Sequence, residues 1–287
     1  MGPTAVGKTS FAIQLAKALN TEIISADARQ CYKELNIGVA RPNQEELAAI
    51  PHHFIASHSI QDTVNAAVFE QYALEKVNDL FATKDSVVMV GGTGLYIKAF
   101  CEGLDAIPPI DPSIRLSIAK AYETAGLDWL QSEVAQKDPI YWAQAAQDNP
   151  HRLMRALEVM LGAGASILSF QKQSKKERPF KIVKIGLEMP RAQLYERINQ
   201  RVLNMVEGGL EQEVIGLKSF FELNALQTVG YQEWLSYFEG KMSKEKVIEL
   251  IQQNTRRYAK RQMTWFKKDA EIQWYQAETA TTVEVIL

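Results

Sequence analysis

Gly2-Pro3-Thr4-Ala5-Val6-Gly7-Lys8-Thr9 is the stretch whose reading decides the fold. It fits G-x-x-x-x-G-K-[ST] in full, the loop that joins a buried strand to a helix and cradles phosphate. The glycines let backbone N–H groups curl around phosphate oxygens, and the helix start adds the positive end of a dipole. Lys8 supplies a charged donor and Thr9 a hydroxyl suited to Mg²⁺. Gly2, Thr4, Ala5, Val6, Gly7, Lys8 and Thr9 are thus the candidate phosphate-binding residues, and Thr9 the candidate metal ligand. The loop alone leaves the ligand open between a nucleotide and another pyrophosphate.

Outward from the loop, Phe11, Ala12, Leu15, Ala16 and Leu19 recur at helical spacing and predict a helix over Thr9–Leu19. Glu22–Ser25 reads as a short buried strand. Ser86–Val90 is a near-continuous apolar run ending at Gly91-Gly92, as a parallel strand covered on both faces should be. Lys181–Leu187 is a further strand candidate. Strands alternating with helical stretches predict an α/β fold, a P-loop NTPase-like parallel sheet flanked by helices. Only Met1 precedes Gly2, so the strand that normally leads into such a loop is missing from this sequence, and an open strand edge is expected beside it.

From Ser113 to about Gln173 the pattern is helical, with Pro139, Pro150 and Gly162 as breaks. This predicts a helical insertion domain over 111–177, set into a core formed by 1–110 and 178–287. Helices resume after Pro190 and run to about Lys268, and Thr279–Leu287 reads as a terminal strand or a tail.

The chain has 287 residues, 46% hydrophobic and 23% charged, ordinary values for a soluble globular protein of one large or two smaller domains. A net charge of −2 gives no global sign of nucleic-acid binding. Charge is clustered, however, at Arg256, Arg257, Lys260, Arg261, Lys267 and Lys268. Cys31 and Cys101 lie in no metal-ligand spacing or disulfide framework, which suits a reducing compartment. With no signal-like or membrane-spanning run, a cytoplasmic protein without membrane attachment is expected, and a monomer is the expected state.

Two more loops carry chemistry. Asp27, in Ser25-Ala-Asp-Ala-Arg-Gln30, follows a strand at the carboxyl edge of the sheet, where ligands bind. It could serve as general base, metal ligand or helix N-cap. Gly91-Gly92-Thr93-Gly94 follows the next strand and places the Thr93 hydroxyl at the same edge.

Taken in order, these segments resemble the tRNA dimethylallyltransferases (tRNA isopentenyltransferases). The resemblance rests on GPTAVGKT, on Ile24–Pro42 (ISADARQCYKELNIGVARP) and on Gly91–Ala99 (GGTGLYIKA). It continues through DPSIR (Asp111–Arg115), NPHRLMRALEV (Asn149–Val159), the Arg197–Arg201 helix, TVGYQEW (Thr228–Trp234) and KRQMTWFK (Lys260–Lys267). It implies transfer of a dimethylallyl group from dimethylallyl diphosphate to N6 of the adenosine 3′ of the anticodon, with Mg²⁺ as cofactor and the tRNA anticodon stem-loop as partner. Asp27 then matches the base, Thr93 the residue that orients the reacting groups, and Arg115 a cation suited to the leaving diphosphate. The loop from Gly2 to Thr9 becomes a diphosphate site. The tRNA contacts implied are Asp27, Ala28, Arg29, Gln30, Thr93, Arg115, His151, Arg152, Leu153, Met154, Arg155, Arg256, Arg257, Lys260 and Arg261. His52 and His53 match a family feature without an assigned role, and Tyr231 and Trp234 read as core aromatics. The chain departs from the family pattern at His58–Asp62, where an aspartate-proline pair is usual. It departs again at Gln227 and Gln232, where basic residues are common.

Two other readings compete. A P-loop kinase of a small metabolite would use 113–173 as a lid, with Arg152 and Arg155 reaching the transferred phosphate. A non-enzymatic RNA-binding protein would use the loop only as scaffold. Lys8, Thr9, Asp27 and Thr93 together oppose the latter, and the former gives the Gly91–Tyr96 turn and the basic helix no purpose.

Overall fold

The computed structural model describes residues 1–171 and 175–277. They form two compact units, one from Met1–Cys101 with the chain from Arg178 on, the other Glu102–Glu177. The second unit therefore begins at Glu102, before the boundary at residue 110 drawn from the helical pattern.

In the first unit, helix α1 (Lys8–Ala18) packs Ala12, Ile13, Leu15 and Ala16 against Ile23 and Val88 of the sheet. Strand β1 (Ile23–Ala26) is buried along its whole length. Helix α2 (Gln44–Ala49) opens on a capping box between Asn43 and Glu46, and strand β2 (His52–His53) follows. Helix α3 (Ala66–Phe81), strand β3 (Val88–Gly91) and helix α4 (Gly94–Glu102) come next. The three strands pair in parallel in the order β2–β1–β3. Parallel pairing brings the carboxyl ends of β1 and β3 together, and so sets Asp27 and the Gly92-Thr93 turn at one edge.

The second unit is helical. Helices α5 (Pro112–Lys137), α6 (Pro139–Trp142) and α7 (Pro150–Ala163) enclose a core of Ile118, Leu130, Val134, Leu153 and Leu157, and α8 (Ile167–Phe170) packs Ile167 with Ala156 and Val159 of α7. Pro139 and Pro150, read as breaks, each open a new helix from its first turn. Gly162 is no break; α7 runs through it and ends on Gly164, which takes the left-handed conformation.

Strand β4 (Ile185–Glu188), helices α9 (Arg191–Glu207), α10 (Leu210–Gly216) and α11 (Leu235–Phe238), helix α12 (Lys244–Phe266) and strand β5 (Gln273–Gln276) complete the first unit. β4 and β5 form a separate parallel pair. The strand predicted over Lys181–Leu187 is shorter and later, because its ladder partner starts at Gln273 opposite Ile185. The terminal strand or tail at Thr279–Leu287 lies outside the described residues.

Met1 takes a place beside β4: its amino group donates to the Ile185 carbonyl at 2.6 Å, and its carbonyl accepts from the Leu187 N–H at 2.8 Å. β3 pairs with β1 on one edge, and among the described residues no strand pairs with the other. A groove of about 380 Å³ lies there, lined by Val88 and Val90 of β3 and by Ile185 and Leu187 of β4.

Candidate active site

The phosphate loop is fastened from three sides. Val6 is fully buried against Leu187 of β4, Leu194 and Ile198 of α9 and Ala259 of α12. Gly2 lies so close to β4 that a Cβ would stand 2.5 Å from the Leu187 carbonyl oxygen, which explains glycine there. Ala5 takes a left-handed φ of 65° and Gly7 one of 104°, so the chain curls before α1 begins. No side chain caps α1 and no acidic residue stands in its first turn, so its leading N–H groups are open to an anion.

A cavity of about 360 Å³ opens on this loop. Thr4, Ala5, Gly7, Lys8 and Thr9 line it, together with Asp27, Gln30 and Gly92. Two arginines of α9, Arg197 and Arg201, also line it. The Arg201 Nη1 donates to the Thr4 hydroxyl at 3.2 Å, and the Arg197 guanidinium stands beside Gly7. Lys8 donates to the Pro3 carbonyl at 2.7 Å. Burial, reinforced by the charge of Arg201, pulls the Lys8 ammonium down to about 7, while Asp27 works in the opposite direction. Such a concentration of desolvated positive charge favours an anion that would restore its solvation.

Asp27 has two roles open to it. Its Oδ1 accepts from the backbone N–H of Arg29 at 2.9 Å and of Gln30 at 3.2 Å, the turn-capping role. Its Oδ2 has no hydrogen-bond partner among the described residues, so one oxygen remains for chemistry at the cavity. Thr93 does not line the cavity. Its hydroxyl accepts from the Ala28 N–H at 3.0 Å, and its own N–H donates to the Ala26 carbonyl, which ties the Asp27 turn to the end of β3. Arg29 reaches Asn224 at 3.3 Å, and Gln30 donates to the carbonyls of Val39 and Ala40. Tyr258 of α12 lines the cavity as well, its phenol pushed up to about 12 by burial and then by the charge of Asp27. Among the described residues no group of three or more His, Cys, Asp or Glu could hold a metal. Thr9, Asp27 and Glu46 line the cavity with hydroxyl and carboxylate oxygens of the kind a Mg²⁺ ion shared with a phosphate takes.

Beyond the Asp27 turn and Thr93, the predicted RNA contacts fall into two groups. On α12, Arg257, Lys260 and Arg261 are exposed and lie three and four residues apart, hence on one face. Arg256 is half-buried instead. Its Nη1 donates to Asn199 of α9 at 2.5 Å and its guanidinium lies 6.0 Å from the Tyr195 ring. In the second unit, Arg115, His151 and Arg152 are exposed, and Arg155 pairs with Glu158 at 2.8 Å. Leu153, expected among the contacts, is fully buried in the α5–α7 core, and Met154 packs partly against it. A side chain with no exposed surface touches no RNA, so Leu153 is a core residue. Tyr231 and Trp234 are fully buried, as read.

No role is legible in the sequence for Arg197, Arg201 or Tyr258, and Gln262 reads there only as part of the basic RNA-facing segment, yet all four line the cavity. Arg197 and Arg201 did carry a signal. Four residues apart, they share a face of a helix whose buried residues, Leu194, Ile198 and Val202, follow the same repeat.

Parallel strands, an uncapped phosphate loop and a cationic cavity at the carboxyl edge define a P-loop protein of the α/β class. Comparison with known proteins narrows this. The family described as IPP transferase matches residues 30–269. A tRNA dimethylallyltransferase of Christiangramia forsetii is 50% identical over 276 residues, 96% of this chain and 91% of that protein. One from Cytophaga hutchinsonii is 44% identical over 287 residues, 100% of this chain and 94% of its own length. Among solved structures, the tRNA isopentenylpyrophosphate transferase of Bacillus halodurans superposes with a TM-score of 0.70 at 35% identity, covering 96% of this chain and 88% of that one. The chain belongs to the IPP transferase family. That membership removes the small-metabolite kinase reading.

Proposed function

We propose that the protein transfers the dimethylallyl group of dimethylallyl diphosphate to N6 of the adenosine 3′ of the anticodon in tRNA, releasing diphosphate. The observation that carries this reading is one cavity lined both by an uncapped phosphate loop with Lys8, Arg197 and Arg201 and by Asp27 with an unengaged oxygen.

The chemistry follows from those groups. N6 of adenosine is a weak nucleophile, and its attack on the allylic carbon becomes productive when its proton can leave. Asp27 Oδ2 accepts that proton as the C–N bond forms and the C–O bond to diphosphate breaks. Negative charge grows on the departing oxygen, where Lys8, Arg201, Arg197 and the leading N–H groups of α1 stabilise it. Thr93 holds the Asp27 turn through Ala28 and so orients the base. The Thr9 hydroxyl would hold Mg²⁺, which would supply further charge neutralisation at the leaving group. The adenine must leave its stack to enter, at about a few kcal/mol. Arg257, Lys260 and Arg261 form the RNA-facing cations of α12, and Arg115, Arg152 and Arg155, with the His151 side chain beside them, the RNA-facing groups of the second unit.

The test is Asp27→Ala. Transfer should fall by roughly 10²- to 10⁴-fold while RNA affinity stays at the parent value. A variant that modifies RNA at the parent rate removes Asp27 as the base.

A further inference from the structure

Gln262 of α12 is only 6% exposed, and both ends of its amide are engaged. Its Oε1 accepts from the Thr4 N–H at 2.8 Å, and its Nε2 donates to the Gly92 carbonyl at 2.8 Å. Thr4 belongs to the phosphate loop. Gly92 directly precedes Thr93, whose hydroxyl holds the Ala28 N–H beside Asp27. One side chain therefore bridges the loop that would grip the leaving group and the turn that positions the base.

Gly92 is matched to this amide. A Cβ at Gly92 would stand 2.2 Å from Gln262 Nε2, and no left-handed φ requires glycine there. The absent side chain makes room for Gln262, and the backbone conformation does not demand it. Losing the amide would deprive the part-buried Thr4 N–H and the buried Gly92 carbonyl of this partner and remove the side-chain link between the two loops. The same helix presents Arg257, Lys260 and Arg261 to solvent within the five residues before Gln262.

We infer that Gln262 is a positioning residue: its amide sets the distance between the diphosphate loop and the Asp27–Thr93 turn, and Gly92 is the space it needs. The inference rests on the transfer reaction proposed above. It acts through alignment, so it bears on the rate of the bound complex rather than on RNA affinity.

The experiment compares the parent with Gln262→Met, Gln262→Ala, Gly92→Ala and the Gly92→Ala/Gln262→Ala double variant. Single-turnover rates are measured at saturating dimethylallyl diphosphate and anticodon stem-loop RNA, per mole of folded enzyme by circular dichroism, and RNA affinity by filter binding. Gln262→Met, which keeps the volume and loses both hydrogen bonds, should lower the rate roughly ten- to a hundredfold and leave RNA affinity unchanged. Gly92→Ala should do the same by displacing the amide, yet add nothing in the Gln262→Ala background. If Gln262→Met does not fold, the Gly92→Ala comparison carries the test. A parent-like rate in Gln262→Met, or Gly92→Ala and Gln262→Ala losses that multiply, overturns the positioning role. A parent enzyme that leaves the RNA unmodified overturns the transfer reading itself.

Discussion

Removing the exposed cations of α12 together, as Arg257→Ala/Lys260→Ala/Arg261→Ala, separates RNA contact from structural charge on one helix. All three are solvent-exposed and share a face, whereas Arg256, next in sequence, is held by Asn199 at 2.5 Å and lies over Tyr195. If each exposed cation neutralises one phosphate of single-stranded RNA, each contributes about 0.7 to the slope of log affinity against log salt, about 2 for the three. Over a fourfold rise in salt, from about 50 to 200 mM, the parent should then lose about twentyfold more affinity than the triple variant. Arg256→Ala should keep the parent slope and instead lower stability, by about 1 kcal/mol for the lost hydrogen bond. Filter binding of the anticodon stem-loop across a salt series reads both. The reasoning fails if the triple variant keeps the parent slope, or if Arg256→Ala flattens it as much as the triple variant does.

Three further outcomes follow. Tyr231 is fully buried and donates to Glu213 at 2.6 Å, while Glu213 also accepts from the N–H of Ile37 and Gly38. Tyr231→Phe should cost about 1.5–3 kcal/mol in urea unfolding, and a loss below half a unit would show the bond to be idle. His52 has its Nδ1 against the Ile50 carbonyl, its Nε2 buried without a partner, and a pKa lowered mainly by burial. The folded state therefore binds fewer protons than the unfolded one, so this group's contribution is present above the unfolded value of 6.5 and is lost as pH falls through the folded pKa. His52→Asn should flatten the fall of the thermal midpoint below that pH, and an unchanged profile would assign the fall elsewhere. Gly2→Ala would drive a Cβ to within 2.5 Å of the Leu187 carbonyl oxygen. It should weaken inorganic diphosphate binding, read by calorimetry, by at least about tenfold, as misplacing a preorganised site does; parent-like affinity would show that the loop tolerates the shift.

Local signals made much of this legible. The phosphate loop, β1 and β3 announce themselves through glycine spacing and continuous apolar runs, which need no knowledge of distant partners. The exposed face of α12 shows in the spacing of Arg257, Lys260 and Arg261. What stayed hidden depends on tertiary contact. Gln262 is one glutamine among many until its helix packs beside both Thr4 and Gly92. β5 carries polar Gln273 and Gln276 and becomes a strand only by pairing with β4. Leu153 sits between basic residues in sequence, and only the α5–α7 packing reveals that it points into a core. The half-buried state of Arg256 likewise depends on α9, a partner that helical spacing alone cannot locate.

The transfer reaction is tested most directly by incubating the protein with dimethylallyl diphosphate, Mg²⁺ and an anticodon stem-loop RNA bearing adenosine 3′ of the anticodon, then digesting the RNA and analysing its nucleosides by mass. The account predicts adenosine carrying one dimethylallyl group on N6, with diphosphate released in equal amount. RNA recovered with every adenosine unmodified, under conditions where the protein binds both substrates, would contradict it.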